Sequence, residues 1–303
     1  MFSRILFPTD FSEYAKRILD CITGFPGVKE VLLLHVIEET RSPWGGGEIG
    51  IALSHNEKIT LREEKRYLES LGSHIRVTSM VKISSDTAEA IIEYAEEKDV
   101  SLIVIGARGK SLIEGILLGS VSMAVLRRSR TSVLIMRHRV VEEIDGKKRY
   151  QQYCPMLLSR VLCPVDFSPY SEHAISRLLA TEGVGEVILV YVVSRGESSE
   201  EIARCQKRAR ELGLDLRSRF TSQRIPARVI VRTGNPASEI IRVAEEEDVS
   251  LIWMSYSGRG WFRELLIGST ADHVAVNSTC PVMIIRSKSP EDVSTNTPRV
   301  DAS

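Results

Sequence analysis

The stretch Ser101-Leu-Ile-Val-Ile-Gly106-Ala-Arg-Gly109-Lys-Ser-Leu-Ile-Glu-Gly-Ile-Leu-Leu-Gly119-Ser120 decides the fold. It opens on a short apolar run with no polar alternation, the pattern of a strand buried on both faces. Glycines just past such a strand let the backbone turn sharply and approach a ligand closely. A helix-like segment, 121–128, follows Gly119-Ser120. A Gly-Ser pair at a helix start offers free N–H groups, a hydroxyl and the positive end of the helix dipole, which together suit a phosphate. A reduced copy lies further on, Ser255-Tyr-Ser-Gly258-Arg-Gly-Trp-Phe-Arg-Glu-Leu-Leu-Ile-Gly268-Ser269. In both copies nine residues separate the second marked position (Gly109, Gly258) from the last glycine (Gly119, Gly268).

Working outward, the whole chain repeats. Arg4-Ile-Leu-Phe-Pro-Thr-Asp-Phe-Ser12 returns as Arg160-Val-Leu-Cys-Pro-Val-Asp-Phe-Ser168, a strand followed by a serine placed to cap the next helix. Second strands follow at 30–37 and 186–193, and third strands at 76–83 and 227–232. Helices over 87–98 and 236–247 lead into Asp99-Val-Ser-Leu-Ile and Asp248-Val-Ser-Leu-Ile, and fifth strands close each half at 132–136 and 281–285. Between the second and third strands the halves diverge. The first carries a glycine-rich loop over 40–56 and a charged helix over 57–71, the second a short loop and a helix over 200–212. Apolar strands alternating with helices imply parallel sheets covered on both faces. The reading is α/β, two doubly wound five-stranded parallel-sheet domains. Domain 1 covers 1–140 and domain 2 covers 159–288, with a charged linker at 141–158 and a polar, disordered tail at 289–303.

The length of 303 residues fits two domains. Forty basic and forty acidic residues cancel, which argues against a general nucleic-acid binder. Seven basic residues against Glu114 between Arg108 and Arg139 suit an anionic ligand or simply solvated ends of strands and helices. No apolar run is long enough to span a membrane, and the N-terminus turns acidic too early for a signal peptide. The expected location is cytoplasmic. Five cysteines without a CxxC pair read as reduced thiols, and the six histidines form no metal-ligand pair.

In a doubly wound sheet, ligands bind beyond the carboxyl ends of the strands where the strand order reverses. Asp10 and Gly106 each follow a strand, so neighbouring first and fourth strands would face them into one crevice. A carboxylate there suits a ribose or a base edge. Familiar alternatives fail. A P-loop needs a glycine where Val104 stands, no GxGxxG follows either first strand, and no serine sits in a GxSxG elbow. Arg108 and Lys110 are candidate phosphate contacts.

Pro8-Thr-Asp-Phe-Ser12, His35-Val36 and the spacing Gly106-x2-Gly109-x9-Gly119-Ser120 resemble the universal stress protein family in its tandem form, over nearly the whole chain. The resemblance implies an adenine nucleotide alpha hydrolase-like sheet of order 3-2-1-4-5, two halves paired as an internal pseudo-dimer, and ATP or AMP as ligand with Mg²⁺ accompanying the phosphates. Carried over by position, Asp10 and the backbone near Val36 would meet adenine and ribose, and Gly106 would lie against the ribose. Gly109, Gly119 and Ser120 would hold phosphates, with Pro8, Thr9 and Val121 flanking. The second set is Val165, Asp166, Val192, Gly258, Gly268, Ser269 and Thr270. Ser255 replaces the first glycine and is expected to obstruct or strain that site, with Tyr256 and Trp261 narrowing it, so the first site is expected to be the better one.

Three functions compete. A nucleotide-dependent stress-response regulator, changing conformation or partner, is favoured. A slow ATPase or nucleotidyl-transfer enzyme lacks an evident general base or metal-holding acid cluster. A structural pseudo-dimer without ligand is the third. Expected partners are the nucleotide and the two halves with each other, with a further homodimer open, and neither nucleic acid nor membrane.

Overall fold

The computed structural model describes residues 2–39, 47–72, 74–107, 118–144, 147–152, 156–194, 199–258 and 267–287, with side chains described outside 47–54 and 138–152. The chain divides into two units, Met1–Met136 and Arg137–Ser303.

Unit 1 runs β1 (Arg4–Pro8), α1 (Glu13–Ile22), β2 (Glu30–Glu38), α2 (Gly47–Leu71), β3 (Arg76–Ser84), α3 (Thr87–Glu97), β4 (Leu102–Gly106), α4 (Ser120–Arg128) and β5 (Ser132–Met136). Its strands lie in the order β3-β2-β1-β4-β5, all parallel. Registers pair Ile5 with both Val31 and Leu102. The carboxyl ends of β1, β2 and β4 therefore come out side by side. Central strands are apolar throughout because helices cover both faces, and Ile5, Leu6, Phe7, Leu102 and Ile103 are wholly buried.

Unit 2 opens with β6 (His138–Ile144) and β7 (Lys147–Gln152), then repeats the plan with β8 (Arg160–Pro164), α5 (Pro169–Leu179), β9 (Glu186–Val193), α6 (Ser199–Ser222), β10 (Ala227–Thr233), α7 (Pro236–Glu246), β11 (Leu251–Ser255), α8 (Ser269–Asn277) and β12 (Val282–Ile285). The second sheet runs β10-β9-β8-β11-β12, again parallel.

Four expectations need correction. First, α2 begins at Gly47, ten residues before the expected start. The glycines of 45–47 suggested loop throughout, but the helix-forming Ile51, Ala52 and Leu53 follow them. Second, α6 continues to Ser222. Gly213 reads as a stop signal, yet it is a packing residue: a Cβ there would sit 2.6 Å from Val229 Cγ1 on β10, so the helix needs glycine to lie against its strand. Third, part of the expected linker is the antiparallel pair β6-β7, signalled by Asp145-Gly146 after the β-branched Val140, Val141 and Ile144 and obscured by the surrounding charge. Fourth, Cys21 is disulfide-bonded, which a spacing argument cannot reveal. Its partner lies outside the described residues, and Cys163, Cys205 and Cys280 are free thiols. The expected tail, 289–303, also lies outside the described residues.

The buried stripes of α2 and α6 match in spacing but not in chemistry. α6 turns Ala209, Gly213, Leu216 and Phe220 inward. At the same 4-3-4 spacing α2 presents Glu57, Leu61, Glu64 and Leu68, of which Leu61, Glu64 and Leu68 are fully buried.

Candidate functional site at the carboxyl ends of the strands

The turn after the first strand is built identically in both units. Asp10 Oδ1 accepts the Ser12 N–H at 3.0 Å, and Asp166 Oδ1 accepts the Ser168 N–H at 3.0 Å together with the Ser168 hydroxyl at 2.6 Å. Phe11 and Phe167 between them sit at φ 62° and 58°. That left-handed conformation costs a bulky residue about 1–2 kcal/mol and persists only where its surroundings enforce it. Ring contacts do so here: Phe11 stacks on His35 at 4.2 Å between centroids, and Phe167 lies 5.1 Å from Tyr191. The reversal leaves the aspartate at the carboxyl edge. It also aims the next serine at its helix, where Ser12 accepts from the Ala15 N–H and Ser168 from the Ser171 N–H. The Thr9 N–H donates to the Leu34 carbonyl and the Val165 N–H to that of Val190, both at 2.9 Å, which pins each turn beside the strand carrying Val36 or Val192.

The Gly-Ser pairs stand opposite. Gly119 and Gly268 are the N-caps of α4 and α8, with φ −67° and −65°. Their own N–H groups are spent, on the Ala107 carbonyl at 2.8 Å and the Tyr256 carbonyl at 2.7 Å. What these glycines supply is therefore space. The N–H groups of residues 120–122 and 269–271 are the ones without an intrahelical acceptor. Neither glycine is demanded by its backbone, and an added Cβ would make only ordinary contacts, 3.6 Å from the Ala107 carbonyl oxygen and 3.4 Å from that of Tyr256. In unit 1 the Ser122 hydroxyl ties the first turn of α4 to the Gly106 carbonyl at 2.7 Å.

In unit 2 the structure brings the whole sequence-derived set together. Val165, Asp166, Val192, Gly258, Gly268, Ser269 and Thr270 line one cavity of about 320 Å³, walled by Val190, Tyr191, Ile240 and Met254. Gly258 approaches Asp166 so closely that a Cβ would overlap the Asp166 Oδ2 oxygen. Ser255 lines this cavity, but without the backbone strain that was expected of it. Neither Gly106 nor Ser255 has positive φ; Ser255 ends β11 with its hydroxyl donating to the Ser257 carbonyl at 2.7 Å. Tyr256 does not line the cavity. Its buried ring packs edge-on against Tyr170 at 5.2 Å, under the Arg286 guanidinium at 5.0 Å. In unit 1, Pro8, Thr9, Asp10, Val36, Gly106, Gly119, Ser120 and Val121 come to the corresponding edge. Arg108, Gly109, Lys110 and Trp261 lie outside the described residues.

Unit 1 holds a feature that no sequence motif marks. Beneath Thr9 a polar cluster replaces apolar packing. His35 Nδ1 donates to the Thr9 carbonyl at 2.7 Å, and its Nε2 lies 3.4 Å from Glu57 Oε1. The Thr9 hydroxyl donates to Glu64 Oε1 at 3.2 Å while accepting the Phe11 N–H at 3.1 Å. Burial pushes the Glu64 carboxyl up to about 7, and nearby Asp10 adds to the rise, against the Thr9 hydrogen bond and Lys16, which lower it. Two glutamates seven apart inside an apolar helical stripe were the available signal. Among the described residues no group of three or more His, Cys, Asp or Glu could hold a metal ion, and no helix is long and apolar enough to cross a membrane.

Comparison with known proteins agrees with this architecture. The model of the universal stress protein family matches twice, over residues 1–137 and 158–286. A universal stress protein of Methanocaldococcus jannaschii is 34% identical over 160 residues, covering 46% of this chain and 97% of that protein. One of Mycolicibacterium smegmatis is 25% identical over 274 residues, covering 84% of this chain and 87% of the other. Among solved structures, a universal stress protein of Archaeoglobus fulgidus covers 93% of this chain and 96% of its own at a TM-score of 0.67 and 26% identity. The chain belongs to the universal stress protein family, in a tandem form with one copy of the domain in each half.

Proposed function

We propose that the protein binds an adenine nucleotide, ATP or AMP, at the carboxyl edge of its sheets and acts as a stress-response regulator whose conformation or partner depends on the ligand. The observation that carries this reading is the unit 2 cavity, where the Asp166 turn and the Gly268-Ser269 helix start close on one space. Apolar walls with a few convergent polar groups are the usual make-up of a small-molecule site. Here Val192 and Met254 would flank a flat base, and Asp166 would accept from base or ribose. The free N–H groups at the start of α8 would meet phosphate oxygens, favoured by the helix dipole. The volume lies near the lower end of the roughly 300–1,000 Å³ typical of ligand pockets, which fits a mononucleotide. Backbone N–H groups and hydroxyls suit an anion, so Mg²⁺ would arrive on the phosphates and be held by them.

Titration of ATP and of AMP into the full chain by calorimetry tests the reading. Binding heat that disappears in the double variant Gly119→Val, Gly268→Val supports it. An absence of heat with about 1 mM of either nucleotide, where even a weak site would report, sinks it.

A further inference from the structure

The polar cluster in unit 1 is not required by the fold, because unit 2 builds the same turn without it. Val165 stands where Thr9 does, Tyr191 replaces His35, and at matching points of the helical stripe Ala209 and Leu216 replace Glu57 and Glu64. Burying a carboxyl in place of leucine is costly unless the group is partnered. Glu64 is 5% exposed, and among the described residues its Oε2 oxygen has no hydrogen-bond partner, nor has Glu57 Oε2. Its one bonded oxygen is held by a hydroxyl that also receives the Phe11 N–H, in the same strained turn that presents Asp10.

We propose that Glu64, acting through Thr9, is a proton-responsive positioning residue for the Asp10 turn of unit 1, so that gaining or losing its proton changes the geometry and charge presented to an anionic ligand there, while unit 2 lacks the device. The chain of contact is short. A carboxylate draws the Thr9 hydroxyl more strongly than a carboxylic acid does, because a charged acceptor makes the stronger bond. The same hydroxyl holds the Phe11 amide, and the Phe11 ring leans on His35. A buried negative charge beneath the turn also opposes an incoming anion, with little solvent to screen it.

The charges around Glu64 set the balance. Asp10 on the turn opposes its ionisation and Lys16 on α1 favours it. His35 on β2 and Glu57 on α2 pair with each other, and Asp20 on α1 is engaged by the Tyr67 hydroxyl. The cations of β3 are turned to other partners, Arg76 to Glu30 and Lys82 to Glu97. Burial outweighs these charges and holds the Glu64 carboxyl at about 7. Reciprocity then requires that an anion bound at this turn strengthen the proton's hold on Glu64, as the proton strengthens the anion's.

The inference concerns the turn used by the proposed nucleotide site, but its first test needs no ligand. Backbone amide signals of isotope-labelled full-length protein are followed from about pH 5.5 to about pH 8.5, a range that brackets the expected exchange. The Phe11 amide should titrate with a midpoint close to 7, the Phe167 amide should stay flat, and Glu64→Gln should remove the Phe11 titration with Phe167 unmoved as the check on folding. A flat Phe11 profile overturns the proposal. So does a titration that persists in Glu64→Gln, since it would then belong to another group. Adding ATP should move the Phe11 midpoint upward. A titrating Phe11 whose midpoint ignores ATP counts against nucleotide binding at this turn and leaves the proton response standing.

Discussion

Gly258 and Gly268 in unit 2 are glycines for different reasons, and the difference is testable. At Gly258 a methyl group would overlap the Asp166 carboxylate, so Gly258→Ala must displace either the loop or the aspartate. We expect nucleotide affinity at unit 2 to fall by at least about tenfold, roughly 1.4 kcal/mol, with the melting temperature nearly unchanged because the position lies at the cavity rim. Calorimetry and thermal melting check the two halves of that statement. At Gly268 an added Cβ would make only ordinary contacts, so a loss of binding in Gly268→Ala reports on the ligand's space and not on the fold. Glu64 gives a prediction of opposite character. Its folded value is raised from 4.5 to about 7, so the stability linked to its proton is fully present below pH 4.5 and is lost as pH rises through 7. Glu64→Gln escapes that loss. The variant should match the natural protein in denaturant unfolding at acid pH and exceed it at about pH 8 by up to roughly 3 kcal/mol. A variant less stable at pH 8 than the natural protein would contradict the assigned protonation.

At the level of elements, the caps and turns were legible because their chemistry is local. Ser12 and Ser168 occupy the N-caps they were expected to, each with its side chain accepting an N–H three residues on. Ser12→Ala should cost about 1 kcal/mol in chemical denaturation. Helix length was less legible, because a glycine can stop a helix or let it pack closely, and only the tertiary neighbour decides. Gly213 is of the second kind. Gly213→Ala would gain up to about 1 kcal/mol of helix propensity but place a methyl 2.6 Å from Val229 Cγ1. Overpacking typically costs about 1–3 kcal/mol, so net destabilisation is expected in a denaturation curve. Stabilisation would mean that β10 and α6 separate more easily than their packing implies.

On the scale of the whole molecule, the internal repeat made the fold class readable. Two phrases, each a strand followed by Asp-Phe-Ser, and two distal Gly-Ser pairs mark one sheet edge per unit. Residues remote in sequence could not be read so well. Whether Ser255 is strained depends on the backbone of β11, which is extended and needs no glycine. Tyr256 was expected to narrow the site, but its ring lies against Tyr170 and Arg286. Glu64 looked like one more charge on a charged helix, and only the burial pattern set it apart. The central claim is that the Asp166 turn and the start of α8 enclose a nucleotide, and a crystal structure of the full chain grown with saturating AMP tests it most directly. A base is expected beside Val192 within hydrogen-bond reach of Asp166, with a phosphate on the N–H groups of Ser269 and Thr270. A nucleotide seated elsewhere in unit 2, or a cavity holding only solvent, would contradict it.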